Sequence, residues 1–148
     1  MTTIIDLCLQ HGTDTVLEAL QAITTRRAEL EARDIPADLV NACQSDAELR
    51  FLEYAYPVFP EIQAQHRVNG FIADFALPDL GLLIEVDGRQ WHGSPEAFAR
   101  DRHRDRSLVG CGWRVLRFAA REVYEDATGC VAEVMATPEP LPFGEGLE

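Results

Sequence analysis

Four stretches of this chain are apolar or alternate apolar with polar over six or seven residues: Ile62 to Val68, Phe71 to Leu77, Leu82 to Asp87 and Trp113 to Phe118. Each reads as a β-strand. Asn69-Gly70 joins the first two and is the strongest short-range hairpin signal, because both positions tolerate positive φ. The turn Pro78-Asp79-Leu80-Gly81 joins the second to the third, so three consecutive antiparallel strands are predicted. A helix follows, opened by Ser94-Pro95, an N-cap with proline at the first helical position, and stopped by Gly110-Cys111-Gly112. The strand-helix-strand unit from 82 to 118 then predicts a right-handed crossover into a parallel pair.

Helical periodicity covers most of the rest. Ser45-Asp46-Ala47-Glu48 opens a helix with Leu49, Leu52 and Tyr56 on one side, and a last helix is predicted from Ala120 to Met135. Residues 1–43 read as a helical extension: Thr15-Val16-Leu17-Glu18 has the form of a capping box, and Val16, Leu20 and Ile23 keep helical spacing until Asp34-Ile35-Pro36 interrupts. From Thr137 onward the chain carries three prolines and three acids and reads as a disordered acidic tail. The expected class is α/β: a helix, three antiparallel strands, a crossover helix, a parallel fourth strand and a helix, preceded by the extension. The expected division is 1–43, 44–136 and 137–148.

Charge on such strands is costly, which singles out three residues. Glu85 and Asp87 lie in the apolar run Leu82-Leu83-Ile84-Glu85-Val86-Asp87-Gly88, and Asp74 lies in the strand before it. Side chains alternate across a strand, so Glu85 and Asp87 share a face about 6 to 7 Å apart along the chain. Residues equidistant from the turn oppose each other, which puts Asp74 opposite or diagonal to Glu85. Carboxylates so placed repel unless one is protonated or a cation sits among them. All the donors are oxygens, so a hard divalent ion such as Mg²⁺ or Mn²⁺ suits them, and hydrolysis of a phosphodiester is the chemistry it would serve. The alternative for these acids is a solvated edge strand, and for Asp87-Gly88 an ordinary turn pair.

Composition narrows the setting. With 148 residues the chain supports one domain able to bury about 68–70% of its unfolded surface. Cys8, Cys43, Cys111 and Cys130 are too scattered for a zinc site or a disulfide scaffold, and nothing resembles a signal peptide or an 18-residue apolar span. A cytoplasmic protein with reduced thiols and no membrane contact is expected. The net charge of −12 argues against a polyanionic partner, but its distribution does not: residues 67–121 hold 9 arginines against 7 acids, while 1–66 and 122–148 hold the acidic excess. Lysine is absent, so every basic side chain is an arginine, the form best suited to bidentate phosphate contacts.

The motifs Ala73-Asp74-Phe75, Ile84-Glu85-Val86-Asp87-Gly88, Trp91-His92-Gly93, Arg100 to Asp105 and Gly112 to Arg117 occur in this order. Together they resemble the restriction-endonuclease-like superfamily named for its PD-(D/E)XK motif, and within it the very-short-patch-repair endonucleases and their small relatives. The resemblance covers about residues 45–125 and implies a three-layer nuclease core. It implies a metal set of Asp74, Glu85, the Val86 carbonyl and Asp87, with Asp87 standing where the family's lysine would be. It implies a general-base or phosphate-contact role for His92 and a metal-reaching role for Glu48, although Ser45-x-x-Glu48 is also a capping box. Arg89, Trp91, Arg100 and Arg104 are the candidates for nucleic-acid contact; the spacing of the arginines is equally that of a solvated helix face with local pairs such as Asp101 and Arg104. Arg89 stands where a structural zinc ligand of the repair enzymes would be, and Gln90 where one of their wedging aromatics would be, so neither zinc nor mismatch specificity is expected. The function expected is a divalent-metal-dependent endonuclease, most simply on DNA. The alternatives are a non-catalytic nucleic-acid-binding module on the same fold, or an interaction protein whose acidic ends recruit a basic partner.

Overall fold

The computed structural model describes residues 3–88 and 95–138, with backbone alone at 95–98, 100 and 101. The predicted acidic tail beyond Pro138 and the segment 89–94 lie outside the described residues. Helices α1 (Ile4–His11), α2 (Thr13–Ala32), α3 (Ala37–Ala42) and α4 (Asp46–Ala55) precede strands β1 (Gln63–Val68), β2 (Phe71–Leu77) and β3 (Leu82–Asp87); then come α5 (Pro95–Gly110), β4 (Arg114–Ala119) and α6 (Ala120–Ala136). The sheet order is β1-β2-β3-β4, antiparallel for the first two pairs and parallel for β3 with β4. This is the α/β arrangement expected from the strand pattern.

The turns follow from their residues. Asn69 and Gly70 take φ of 47° and 79°, the pair of positive values a two-residue hairpin loop needs to match strand twist. One 3-10 turn at Pro78–Leu80 and the left-handed Gly81 bring β2 back into β3.

The N-terminal expectation needs a correction. The capping box lies at Thr3 and Asp6, not at Thr15 and Glu18: Gly12, at φ 87°, ends α1, and α2 begins at Thr13, which leaves Thr15 inside the helix. A second departure is in α6, where Asp126 leaves helical geometry (φ −155°, ψ 72°) and its Oδ1 accepts from Gly129 N–H at 2.9 Å. The helix is thus two pieces, the second with its own side-chain cap.

Apolar residues cover both faces of the sheet. On one, Phe75, Leu77, Leu82, Ile84, Val86 and Phe118 join side chains from α4 and α6, with Phe51 tilted against Phe75 at 5.3 Å and stacked on Phe118 at 5.9 Å between ring centres. On the other, Val68, Ala73, Ala76 and Leu83 pack with Leu108 of α5, alongside Trp113 and Val115. Ion pairs fasten the helical extension to this core: Arg26 to Asp46 and Glu53, and Arg33 to Glu53. Tyr124 Oη, on α6, donates to Asp46 at 2.7 Å and ties the same corner. No described helix is long and apolar enough to cross a membrane.

Strand faces should alternate without exception, yet Ala64 packs on the α4 side and His66, two residues on, lies tilted against Trp113 on the α5 side, 5.5 Å between ring centres. Between them Gln65 has φ 51°, the left-handed region. The same reversal occurs across Asp74, since Phe75 belongs to one cluster and Ala73 to the other. The register is the same on both sides of this point, Ala64 with Phe75 and His66 with Ala73, so no residue is inserted. The hairpin turns over at Gln65 and Asp74.

Candidate functional site

The reversal opens the site. The β2–β3 ladder pairs Leu77 with Leu82, Ala76 with Leu83 and Phe75 with Ile84. At the next position, where Asp74 would face Glu85, the Asp74 side chain enters the ladder: its Oδ2 accepts from the Val86 backbone N–H at 2.8 Å. The carboxylate thus satisfies a main-chain donor that the parting strands would otherwise strand. Burial pushes the Asp74 carboxyl above its ordinary range, and the Asp87 charge adds to this, while the Val86 N–H and the Arg104 guanidinium oppose it.

Glu48 approaches Asp74 from α4. It is 4% exposed, the buried charged residue among those described. The capping expectation holds in part: Ser45 Oγ accepts from Glu48 N–H at 3.2 Å. The carboxylate then accepts from Ser45 Oγ at 2.8 Å and from Gln65 Nε2 at 3.2 Å. Burial first, and the Asp74 charge second, raise the Glu48 carboxyl above its usual value. Cap and site residue are therefore one side chain, and the two readings of Glu48 do not exclude each other.

Glu85 lies on the interior strand β3, which rules out the solvated edge as the explanation of its charge. One oxygen is paired with Arg104 and the other accepts from Arg117 Nε at 3.1 Å, while Arg117 Nη2 donates to Asp105 at 2.6 Å. Register explains the second contact, since Glu85 and Arg117 are neighbours across β3 and β4. In the first, Arg104 reaches across to the sheet and lies over the Phe71 ring, 5.5 Å from its centre; the expected local partner, the Asp101 side chain, lies outside the described residues. Burial and the nearby Arg117 charge lower the Arg104 pKa, and Asp105 and Asp74 work the other way. Its Nε is buried without a hydrogen-bond partner among the described residues, an unused donor on the guanidinium that pairs with Glu85.

Glu48, Asp74, Glu85 and Arg104 are thus linked, and Asp87 acts on Asp74 electrostatically. Arg89, Trp91 and His92, together with the Arg100 side chain, lie outside the described residues. Among the described residues no three His, Cys, Asp or Glu form a ready metal cage. The donor chemistry nevertheless fits Mg²⁺ or Mn²⁺: Asp74, Asp87 and the Val86 carbonyl offer oxygens from adjoining strands, and Mg²⁺ usually takes one or two carboxylates and fills the rest with water and substrate phosphate. Glu85 enters such a set only by giving up an arginine. Gln65 was not among the candidates from sequence; the available signal was a polar residue placed opposite Asp74 across an Asn-Gly hairpin.

Comparison with known proteins agrees with this architecture. The chain is 28% identical over 97 residues to the uncharacterized proteins MT2308 and Rv2248 from two strains of Mycobacterium tuberculosis, an overlap of 64% of this chain and 35% of each relative. The match spans about a third of the length of those relatives. In three dimensions it resembles the catalytic domain of the homing endonuclease I-Bth0305I, with a TM-score of 0.51 and 24% identity over 62% of this chain and 92% of that one, a likeness of fold. Residues 58–137, from the loop before β1 to the end of α6, match the REase_MTES_1575 family model. This chain belongs to that restriction-endonuclease-like family.

Proposed function

We propose that the protein is a divalent-metal-dependent endonuclease that hydrolyses phosphodiester bonds in DNA. The observation that carries this is the splitting of β2 from β3 at Asp74, which gathers Glu48, Asp74 and the Val86 main chain beside Glu85 and Arg104 on a core shared with a restriction-endonuclease-like family. Asp74, the Val86 carbonyl and Asp87 would hold Mg²⁺ or Mn²⁺, with Glu85 as a further oxygen donor. When bound, such an ion lowers the pKa of a coordinated water and offsets charge on the phosphoryl group.

The rest is work for the chain's own residues. Arg104 and Arg117 supply fixed positive charge where the family's motif has lysine and this chain has Asp87. A phosphate entering the site competes with Glu85 for the Arg104 guanidinium and finds the unused Nε donor, so substrate releases a Glu85 oxygen as it binds. His92 is the candidate for positioning or deprotonating water. Arg89, Trp91 and Arg100 are the further candidates for backbone contact.

One observation favours a second reading. Both Glu85 oxygens are already on guanidinium groups, the arrangement expected of a non-catalytic nucleic-acid-binding module that kept the fold. Incubation of supercoiled plasmid with Mg²⁺ or Mn²⁺ decides between them. Nicking or linearisation by the wild type that is lost in Asp74→Asn supports the nuclease; DNA binding in chelator, with no Mn²⁺ binding and no cleavage, supports the module.

A further inference from the structure

Gln65 adopts φ 51° inside a strand, where left-handed geometry is disfavoured for any residue with a Cβ and glycine or asparagine would serve more easily. No inserted residue or tight loop requires it, because the β1–β2 register is continuous across the position. What the strained backbone achieves is the aim of the side chain. The Gln65 Nε2 donates to Glu48 Oε1 at 3.2 Å, and the strand register sets Gln65 directly across from Asp74. Glu48 already has the Ser45 hydroxyl, so satisfying Glu48 alone does not explain the choice. A buried acid from α4 and a part-buried acid from β2 are instead kept side by side against their mutual repulsion.

We propose that Gln65 is a positioning residue of the nuclease site, its carboxamide holding Glu48 from the position opposite Asp74 so that the two acids are kept side by side and preorganised for a divalent cation. This rests on the endonuclease reading above. Outer partners of metal-binding carboxylates commonly govern affinity or activity by about 10–100-fold when removed.

Two variants separate the amide from the backbone. Gln65→Gly removes both the amide and the strain; Gln65→Leu keeps the bulk and the strain and removes only the amide. For each, the melting temperature, Mn²⁺ affinity by titration calorimetry, and kcat and KM on plasmid DNA are measured. The expected result is a melting temperature for Gln65→Gly equal to or above wild type, with Mn²⁺ affinity and kcat down about tenfold or more in both variants and KM for DNA little changed. Wild-type Mn²⁺ affinity and kcat in a stable Gln65→Gly protein would overturn the positioning role, as would a lowered melting temperature with undiminished Mn²⁺ affinity. A wild-type protein that neither binds Mn²⁺ nor cleaves DNA overturns the endonuclease reading itself, a result distinct from either.

Discussion

Asp74 has two duties, and two substitutions pull them apart. Its Oδ2 takes the Val86 N–H at 2.8 Å between strands that have ceased to pair, so Asp74→Ala leaves a part-buried main-chain donor unmatched. Such a loss costs about 1–3 kcal/mol, or roughly 2–4 °C of melting temperature per kcal/mol at this chain length. Asp74→Asn keeps a carbonyl oxygen for the same N–H and removes a charge that burial disfavours, so its stability should stay within about 1 kcal/mol of wild type, on either side. Both variants should lose cleavage of supercoiled plasmid in Mg²⁺ and Mn²⁺. Thermal unfolding of the three proteins at pH 7, beside the plasmid assay, reads both duties. An Asp74→Ala protein as stable as wild type would refute the structural half of the reasoning; a folded Asp74→Asn protein that cleaves at the wild-type rate would refute the catalytic half.

Glu48→Gln should raise stability at neutral pH by on the order of 1 kcal/mol while weakening Mn²⁺-dependent cleavage, because the ionised Glu48 is buried at a cost. The sign follows from linkage: a carboxyl raised in the folded state contributes stability that is fully present below its ordinary value of 4.5 and is lost as pH rises through the folded value, so the advantage of the variant in melting temperature should vanish below about pH 4.5. Arg104→Ala should destabilise by about 1–2 kcal/mol, short of the 3–5 of a fully broken buried pair because Arg117 stays on Glu85, and Arg104→Lys should recover only part of it; chemical denaturation measures both. With a thiol reagent at pH 8, exposed Cys111 should react in the native protein, while Cys43, pushed up to about 12 by burial, and Cys130, pushed up to about 11, should react only on unfolding. Phe51→Ala, which empties the space between Phe75 and Phe118, should cost about 3–5 kcal/mol in a denaturant titration.

Features set by near neighbours were legible in the sequence. Alternation located the strands, Asn69-Gly70 the hairpin, Ser45 the start of α4, and symmetry about Pro78–Gly81 the antiparallel register of β2 with β3. What escaped depends on distant partners. The contact of Arg104 with Glu85 is one such case, since only the packing of α5 over the sheet brings the two together. Gln65 looked like any polar strand residue, since a sign change in φ leaves no mark in an alternating pattern. The break at Asp126 was masked because Val123, Ala127, Val131 and Val134 carry the helical period straight through it; the trace that remains is Asp126 three residues before Gly129, a cap spacing inside an apparent helix. Thr15 was misleading for the converse reason: its local motif is sound, but Gly12 ends α1 and lets α2 start at once.

The double attachment of Glu85 to Arg104 and Arg117 has a thermodynamic corollary on the nuclease reading. Metal ion and polyanion each bind more readily once the other has loosened that attachment, and linkage requires the enhancement factor to be equal in both directions. Titrating either alone would then understate both affinities, and the true values would emerge only from a grid in which the two concentrations vary together.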